Sequence, residues 1–188
     1  MDSRAFTWCR CCAVGVFLVL ASMKALGVEP RLVAYVPVCS DVTFLAASIP
    51  FPQITDLNVA FVNPTTEAGD LENPAGIAQL VTKAHEHGVR VLVSLGGGNA
   101  SEDPVQRKRY IAIISTARRT NFISRIIAYL RTHGYDGVDI DLEGPAITAD
   151  YGAFIGELAT ALRAEGKLLS AALSSGYGGG QVPVSALA

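Results

Sequence analysis

Three carboxylates alternate with three aliphatic residues in Asp136-Gly137-Val138-Asp139-Ile140-Asp141-Leu142-Glu143. Successive side chains of an extended strand point to opposite faces. Asp139, Asp141 and Glu143 therefore share one face, and Val138, Ile140 and Leu142 share the other. Acids stacked at that spacing repel, and partial desolvation raises their pKa further. A strand with only a structural role would not carry such a row. Two chemistries fit it. A hard divalent metal could sit among the three carboxylates. Alternatively, one carboxyl could be held protonated as a general acid, tuned by its neighbours. His133 precedes the segment, but it falls in the last turn of a predicted helix, where a cation suits the dipole. His85 and His87 also sit near a helix end and read as structural. No metal is expected.

The elements that must position this row alternate between strand and helix. Short aliphatic runs bounded by Gly, Pro, Asn or Asp predict strands at 31–37, 57–62, 88–95, 135–142 and 168–173. Between them, start and stop signals predict helices. One opens at Asn73-Pro74 and closes at Gly88. A short one spans 105–114. Ser115 caps the next, which ends at Gly134, and Thr148 caps another, which ends at Gly166. Such alternation implies a parallel sheet with right-handed crossovers. Periodicity leaves two α/β architectures open: a doubly wound open sheet, or a TIM-type (β/α)8 barrel. A complete barrel takes about 250 residues, so in the second case this chain is a barrel truncated after about five βα units. The acidic face would then meet the barrel interior, with Glu143 nearest the C-terminal end of its strand.

The residues Asp136 to Glu143 (DGVDIDLE) complete the DGxDxDxE pattern, and Ser94-Leu95-Gly96-Gly97 completes an SxGG pattern on the third strand. On these two motifs the chain resembles the family 18 glycoside hydrolases, which include chitinases and endo-β-N-acetylglucosaminidases. The resemblance spans roughly residues 31–177, the N-terminal portion of that catalytic domain, and implies the second architecture, a TIM-type (β/α)8 barrel truncated after about five βα units. It implies Glu143 as the general acid, Asp141 as the partner of the substrate's 2-acetamido N–H, and Asp139 as the group that tunes Asp141. It implies that the nucleophile is the substrate's own acetamido oxygen, an exception to the two-carboxylate scheme of most glycosidases. It implies no cofactor. Ser94, Gly96 and Gly97 would shape the floor beside Asp139. Tyr35 and Phe61 are candidates to stack on sugar, with ordinary core packing equally open. Tyr177 sits in a glycine-rich stretch that reads as a loop.

The chain departs from the family at Leu142, where an aromatic is common, and by ending before the strand that carries a Met-x-Tyr-Asp motif. The expectation is a fragment or a truncated product, because strands 6 to 8 would need about 90 further residues at roughly 30 per βα unit. The implied partner is an N-acetylglucosamine-containing polysaccharide or oligosaccharide such as chitin. The implied activity is cleavage of its β-1,4-linked N-acetylglucosamine, with an endo-β-N-acetylglucosaminidase acting on glycan cores as the enzymatic alternative. A chitinase-like binding protein is the alternative class, although such proteins typically lose the acid that Glu143 supplies here. A dinucleotide-binding domain is disfavoured because no GxGxxG follows the first strand.

Composition bounds these readings. The chain has 188 residues, half of them hydrophobic, and a formal net charge of −2. That excludes disorder and offers no basic surface for nucleic acid. Arg4 and Arg10 precede an apolar run from Cys11 to Met23, and Ala25 and Gly27 follow. This layout predicts a cleaved signal peptide at 1–27, a catalytic-domain portion at 28–188, and a secreted or periplasmic product without stable membrane association. Cys9, Cys11 and Cys12 lie in that leader, so Cys39 alone remains and no internal disulfide is expected. The basic cluster Arg107, Lys108 and Arg109 reads as a solvated helix face.

Overall fold

The five predicted strands form a single parallel sheet in the computed structural model of the chain, which describes residues 30–38 and 46–173. The leader, Cys39 and Tyr177 lie outside the described residues. The chain divides after Arg31, and every element among the described residues lies in the unit that begins at Leu32.

The strands are β1 (Val33–Pro37), β2 (Asp56–Ala60), β3 (Arg90–Gly96), β4 (Gly137–Asp141) and β5 (Leu168–Ala171). Their order is β1-β2-β3-β4-β5, all parallel. A doubly wound sheet reverses its strand order at a switch point. No reversal occurs among the described strands, and the winding is that of a (β/α)8 barrel, as the two motifs imply.

The helices are α1 (Ile77–Glu86), α2 (Gly98–Glu102), α3 (Pro104–Ile113), α4 (Arg119–His133) and α5 (Tyr151–Ala164). Each long helix buries one stripe at helical spacing. Ile77, Leu80, Val81 and Ala84 do so on α1, and Tyr151, Phe154, Ile155, Leu158 and Leu162 on α5. They pack against Leu57, Val59, Val91, Val93, Leu95, Val138, Ile140 and Leu142, which are all fully or almost fully buried. Phe122 of α4 stacks on Phe154 of α5 at 5.9 Å between ring centres. Burying each such large apolar side chain contributes about 1.5–3 kcal/mol. The aliphatic half of the carboxylate strand is therefore what ties β4 to the helix layer.

Three predicted boundaries shift. Ser115 does not cap α4, because its carbonyl accepts from Arg118 and Arg119 in the turn and its hydroxyl donates to Ala112 O. Asp150, not Thr148, stands at the N-terminus of α5, while the Thr148 hydroxyl accepts from Asp150 N just before the helix. Helix α1 starts three residues later than Pro74, behind Gly76. The short helix is capped as its sequence suggests: Asp103 accepts from Val105 N at 2.9 Å, with Pro104 in the first turn. The five-residue helix α2 follows the glycines after β3 and was not anticipated. Among the described residues, no helix is long and apolar enough to cross a membrane.

Candidate active site

The register aligns residues of three strands in adjoining layers. Ser94, Asp139 and Ser170 are paired across β3, β4 and β5, and Gly96 is paired with Asp141 one step further along. Asp139 is 1% exposed. Its Oδ2 accepts from Ser94 Oγ at 2.7 Å and from the Tyr35 hydroxyl at 3.1 Å, and its Oδ1 accepts from Ser170 Oγ at 2.6 Å. Burying a carboxyl is costly unless its oxygens are hydrogen-bonded, and three hydroxyls from β1, β3 and β5 supply those bonds. Burial raises the Tyr35 phenol above its usual range, and the charges of Asp139 and Asp141 add to this, against a hydrogen bond with Asn58 that lowers it. Tyr35 is thereby held as a donor at neutral pH.

Asp141 is half-buried, and its carboxyl is pushed up to about 6. Burial is the largest cause, followed by the charges of Glu143 and Asp139. Asp141 lines a cleft of about 870 Å3 together with Tyr35, Phe61, Asn63, Glu72 and Gly96. Glu143 lies two residues beyond, past the end of β4. Its backbone stays extended, so the alternation persists: Leu142 is buried and Glu143 exposed. A 3-10 turn at Gly144–Ala146 then leads the chain away, and Ser101 Oγ donates to the Glu143 carbonyl at 2.7 Å.

The end of β3 explains the two glycines of the SxGG motif. Gly96 has φ +118°, and a Cβ there would fall 2.1 Å from Asp141 O. Gly97 has φ +77°, and its Cβ would meet the Phe61 ring at 2.5 Å. Both positions are therefore closed to side chains by space as well as by conformation. Gly97 N donates to Asp141 O at 2.8 Å, which links the glycine turn to the acidic strand. Phe61, predicted on the second strand, lies one residue past β2, where its ring packs on Gly97 and borders the cleft.

Two polar residues at the site escaped the sequence reading. Ser170 is a lone hydroxyl in an aliphatic run, and its only signal is strand parity with Leu168. Asn63 sits just after a predicted strand and before Pro64, where an Asn reads as a turn residue. The histidines stand apart from the cleft lining. His85 Nε2 pairs with Asp136 Oδ2 at 2.7 Å, His87 stacks on Phe51 at 5.0 Å, and His133 packs on Tyr129 at 4.3 Å. The basic cluster corrects its expectation. Arg109 is not solvated: its side chain is 15% exposed, and its Nη1 donates to Pro64 O and to Gln106 Oε1. Arg107 donates to Ser101 O. The Pro64 carbonyl that meets Arg109 lies 45 residues away in sequence, a contact that helix periodicity does not show. Among the described residues, no three His, Cys, Asp or Glu side chains are grouped to share a metal ion.

The model of glycosyl hydrolases family 18 matches residues 31–185. The chain belongs to this family. Its parallel five-stranded sheet is consistent with part of the family 18 (β/α)8 barrel. A crystal structure of the family 18 chitinase ChiB of Flavobacterium johnsoniae superposes with a TM-score of 0.73 at 30% identity, covering 85% of this chain and 51% of that one. The family 18 chitinase of Cycas revoluta, solved in complex with (GlcNAc)3, shares the fold with a TM-score of 0.68 at 24% identity, over 82% of this chain and 51% of that one. A chitinase-like effector of Moniliophthora perniciosa is 31% identical over 107 residues, which is 54% of this chain and 23% of that protein. The chain thus spans about half the length of these solved family 18 chitinases.

Proposed function

We propose that the chain carries the acid half of a chitinase site and cleaves β-1,4-linked N-acetylglucosamine with retention of configuration. The observation that carries this is the ordered row on β4. A fully bonded Asp139 lies beneath a half-buried Asp141 held near pH 6, and an exposed Glu143 follows at the end of the strand.

In this reading Glu143 gives its proton to the glycosidic oxygen as the bond to the anomeric carbon breaks. The substrate's acetamido carbonyl oxygen attacks that carbon from the other face and forms an oxazolinium ion. Asp141 accepts a hydrogen bond from the acetamido N–H and stabilises the positive charge as it develops. Water then opens the ring, with Glu143 taking the proton back. The charge of Asp139 helps to raise the Asp141 carboxyl and so tunes it, and Tyr35 and Phe61 offer aromatic faces to the sugar. The solved chitinase complex with (GlcNAc)3 supports this choice of ligand. The leader at 1–27 fits export of the chain, with a secreted or periplasmic location.

The Moniliophthora relative is named chitinase-like, and the second reading for this chain is a chitinase-like protein that binds chito-oligosaccharide without cleaving it. Incubation of the full chain with chitotetraose, followed by proton NMR of the fresh products, separates the two. Cleavage giving the β-anomer first is expected. Binding with no product selects the second reading, and α-anomer formation contradicts both.

A further inference from the structure

Backbone pairing between β2 and β3 ends early. The ladder stops at Ala60 paired with Ser94, and Val62 N makes one more bond to Ser94 O at 3.0 Å. Beyond that point the Asn63 side chain substitutes for a strand. Its Nδ2 donates to Gly96 O at 3.1 Å, and its Oδ1 accepts from Gly96 N at 3.0 Å. One primary amide thus holds both backbone groups of a single residue. That residue is paired with Asp141 on its other side, and the next one, Gly97, donates to Asp141 O. The amide is itself fixed. Asn63 is 8% exposed, Tyr110 of α3 donates to its Oδ1 at 2.5 Å, and its backbone N donates to Glu72 Oε1 at 2.8 Å. Gly96 cannot gain a side chain to anchor itself, because Asp141 O occupies the space.

We propose that Asn63 is a positioning residue for Asp141, acting through the Gly96–Gly97 backbone. This rests on the reading of Asp141 as the partner of the substrate's acetamido group. Misplacing a reacting group by about 1 Å costs on the order of 10²-fold in rate, so a clamp on the strand end next to Asp141 bears on turnover without touching substrate.

The test compares the full chain with Asn63→Leu, which keeps the volume and removes the amide, and with Tyr110→Phe, which removes one anchor of that amide and leaves the ring packed. Two readouts are taken: the carbon-13 NMR titration of the Asp141 carboxyl, and chitotetraose turnover. Asp139 and Glu143, the charges that act on Asp141, are unchanged in both variants. In the parent the Asp141 midpoint falls near 6. In Asn63→Leu it moves by about half a unit or more as the environment of the carboxyl changes. Turnover falls at least about tenfold while KM stays within about threefold. Tyr110→Phe shifts both in the same direction by less. A midpoint unmoved in every variant that folds, with only the melting temperature lowered, overturns the proposal and leaves Asn63 a purely structural residue. A parent with no turnover contradicts the proposed function instead, and the titration still decides the role of Asn63.

Discussion

Ser170 of β5 and Asp139 of β4 stand side by side in the sheet register, and the serine hydroxyl donates to Asp139 Oδ1 at 2.6 Å. The other carboxyl oxygen is already taken by Ser94 and Tyr35. Ser170 therefore completes the shell of a buried acid and ties β5, which is otherwise a short edge strand among the described residues, to the centre of the site. Ser170→Ala leaves Oδ1 without this donor and is expected to cost about 1–3 kcal/mol, read from the urea midpoint. Ser170→Thr keeps the hydroxyl and should recover most of the loss. Equal stability of the alanine and threonine variants would show that the hydrogen bond contributes nothing.

Asp141 makes stability depend on pH in a defined direction. Its carboxyl lies near 6 in the folded chain, against 3.8 for the unperturbed group. The folded state therefore binds its proton more tightly than the unfolded state does. Its favourable contribution is complete below 3.8 and is lost as the pH rises through 6. Asp141→Asn removes this loss. The variant should melt higher than the parent at pH 7–8, about one unit or more above the folded midpoint. The gap should close near pH 4, the unperturbed value for the group. A constant gap across that range would place the proton elsewhere.

The glycine turn offers a paired test. Gly96→Ala must fit a methyl against Asp141 O at a φ of +118°. A strained backbone position of this kind costs about 1–3 kcal/mol, and the clash adds to that. Gly98→Ala meets nothing within 4 Å at the first residue of α2 and should be neutral or slightly stabilising, by up to about 1 kcal/mol. Denaturant curves for the two variants should diverge. Matching losses would place the β3 turn differently.

The core prediction rests on Phe122. It is buried, stacks on Phe154, meets Tyr110 edge-on and lies 2.7 Å from a Cβ placed on Gly69. Phe122→Ala should cost about 3–5 kcal/mol, measured by thermal or urea unfolding. A loss under about 1 kcal/mol would mean that the site collapses around the cavity, as well-adapting sites do.

How much of this was legible in the sequence follows from which contacts are local. The carboxylate row was readable because strand parity is a property of adjacent residues: Val138 and Ile140 went to the helix layer and Asp139 inward as alternation requires. Barrel and open sheet share one periodicity, so the barrel reading rested on the two motifs, and the strand order, a tertiary fact, bears it out. Tyr35 reaches Asp139 across 104 residues and Ser170 reaches it across 31, so their convergence depends on register that no local window contains. Asn63 was hidden for the same reason, since its partner Gly96 lies 33 residues on. Arg109 was misread because a charge on a helix looks solvated until the Pro64 carbonyl beside it is known.

The most direct test of the central claim is release of the fluorophore from 4-methylumbelliferyl chitobioside by the full chain beside its Glu143→Gln variant. If Glu143 is the proton donor at the end of β4, the parent turns over the substrate. The variant falls by roughly 10²- to 10⁴-fold while still binding chito-oligosaccharide. Equal rates in the two proteins would contradict the assignment of Glu143.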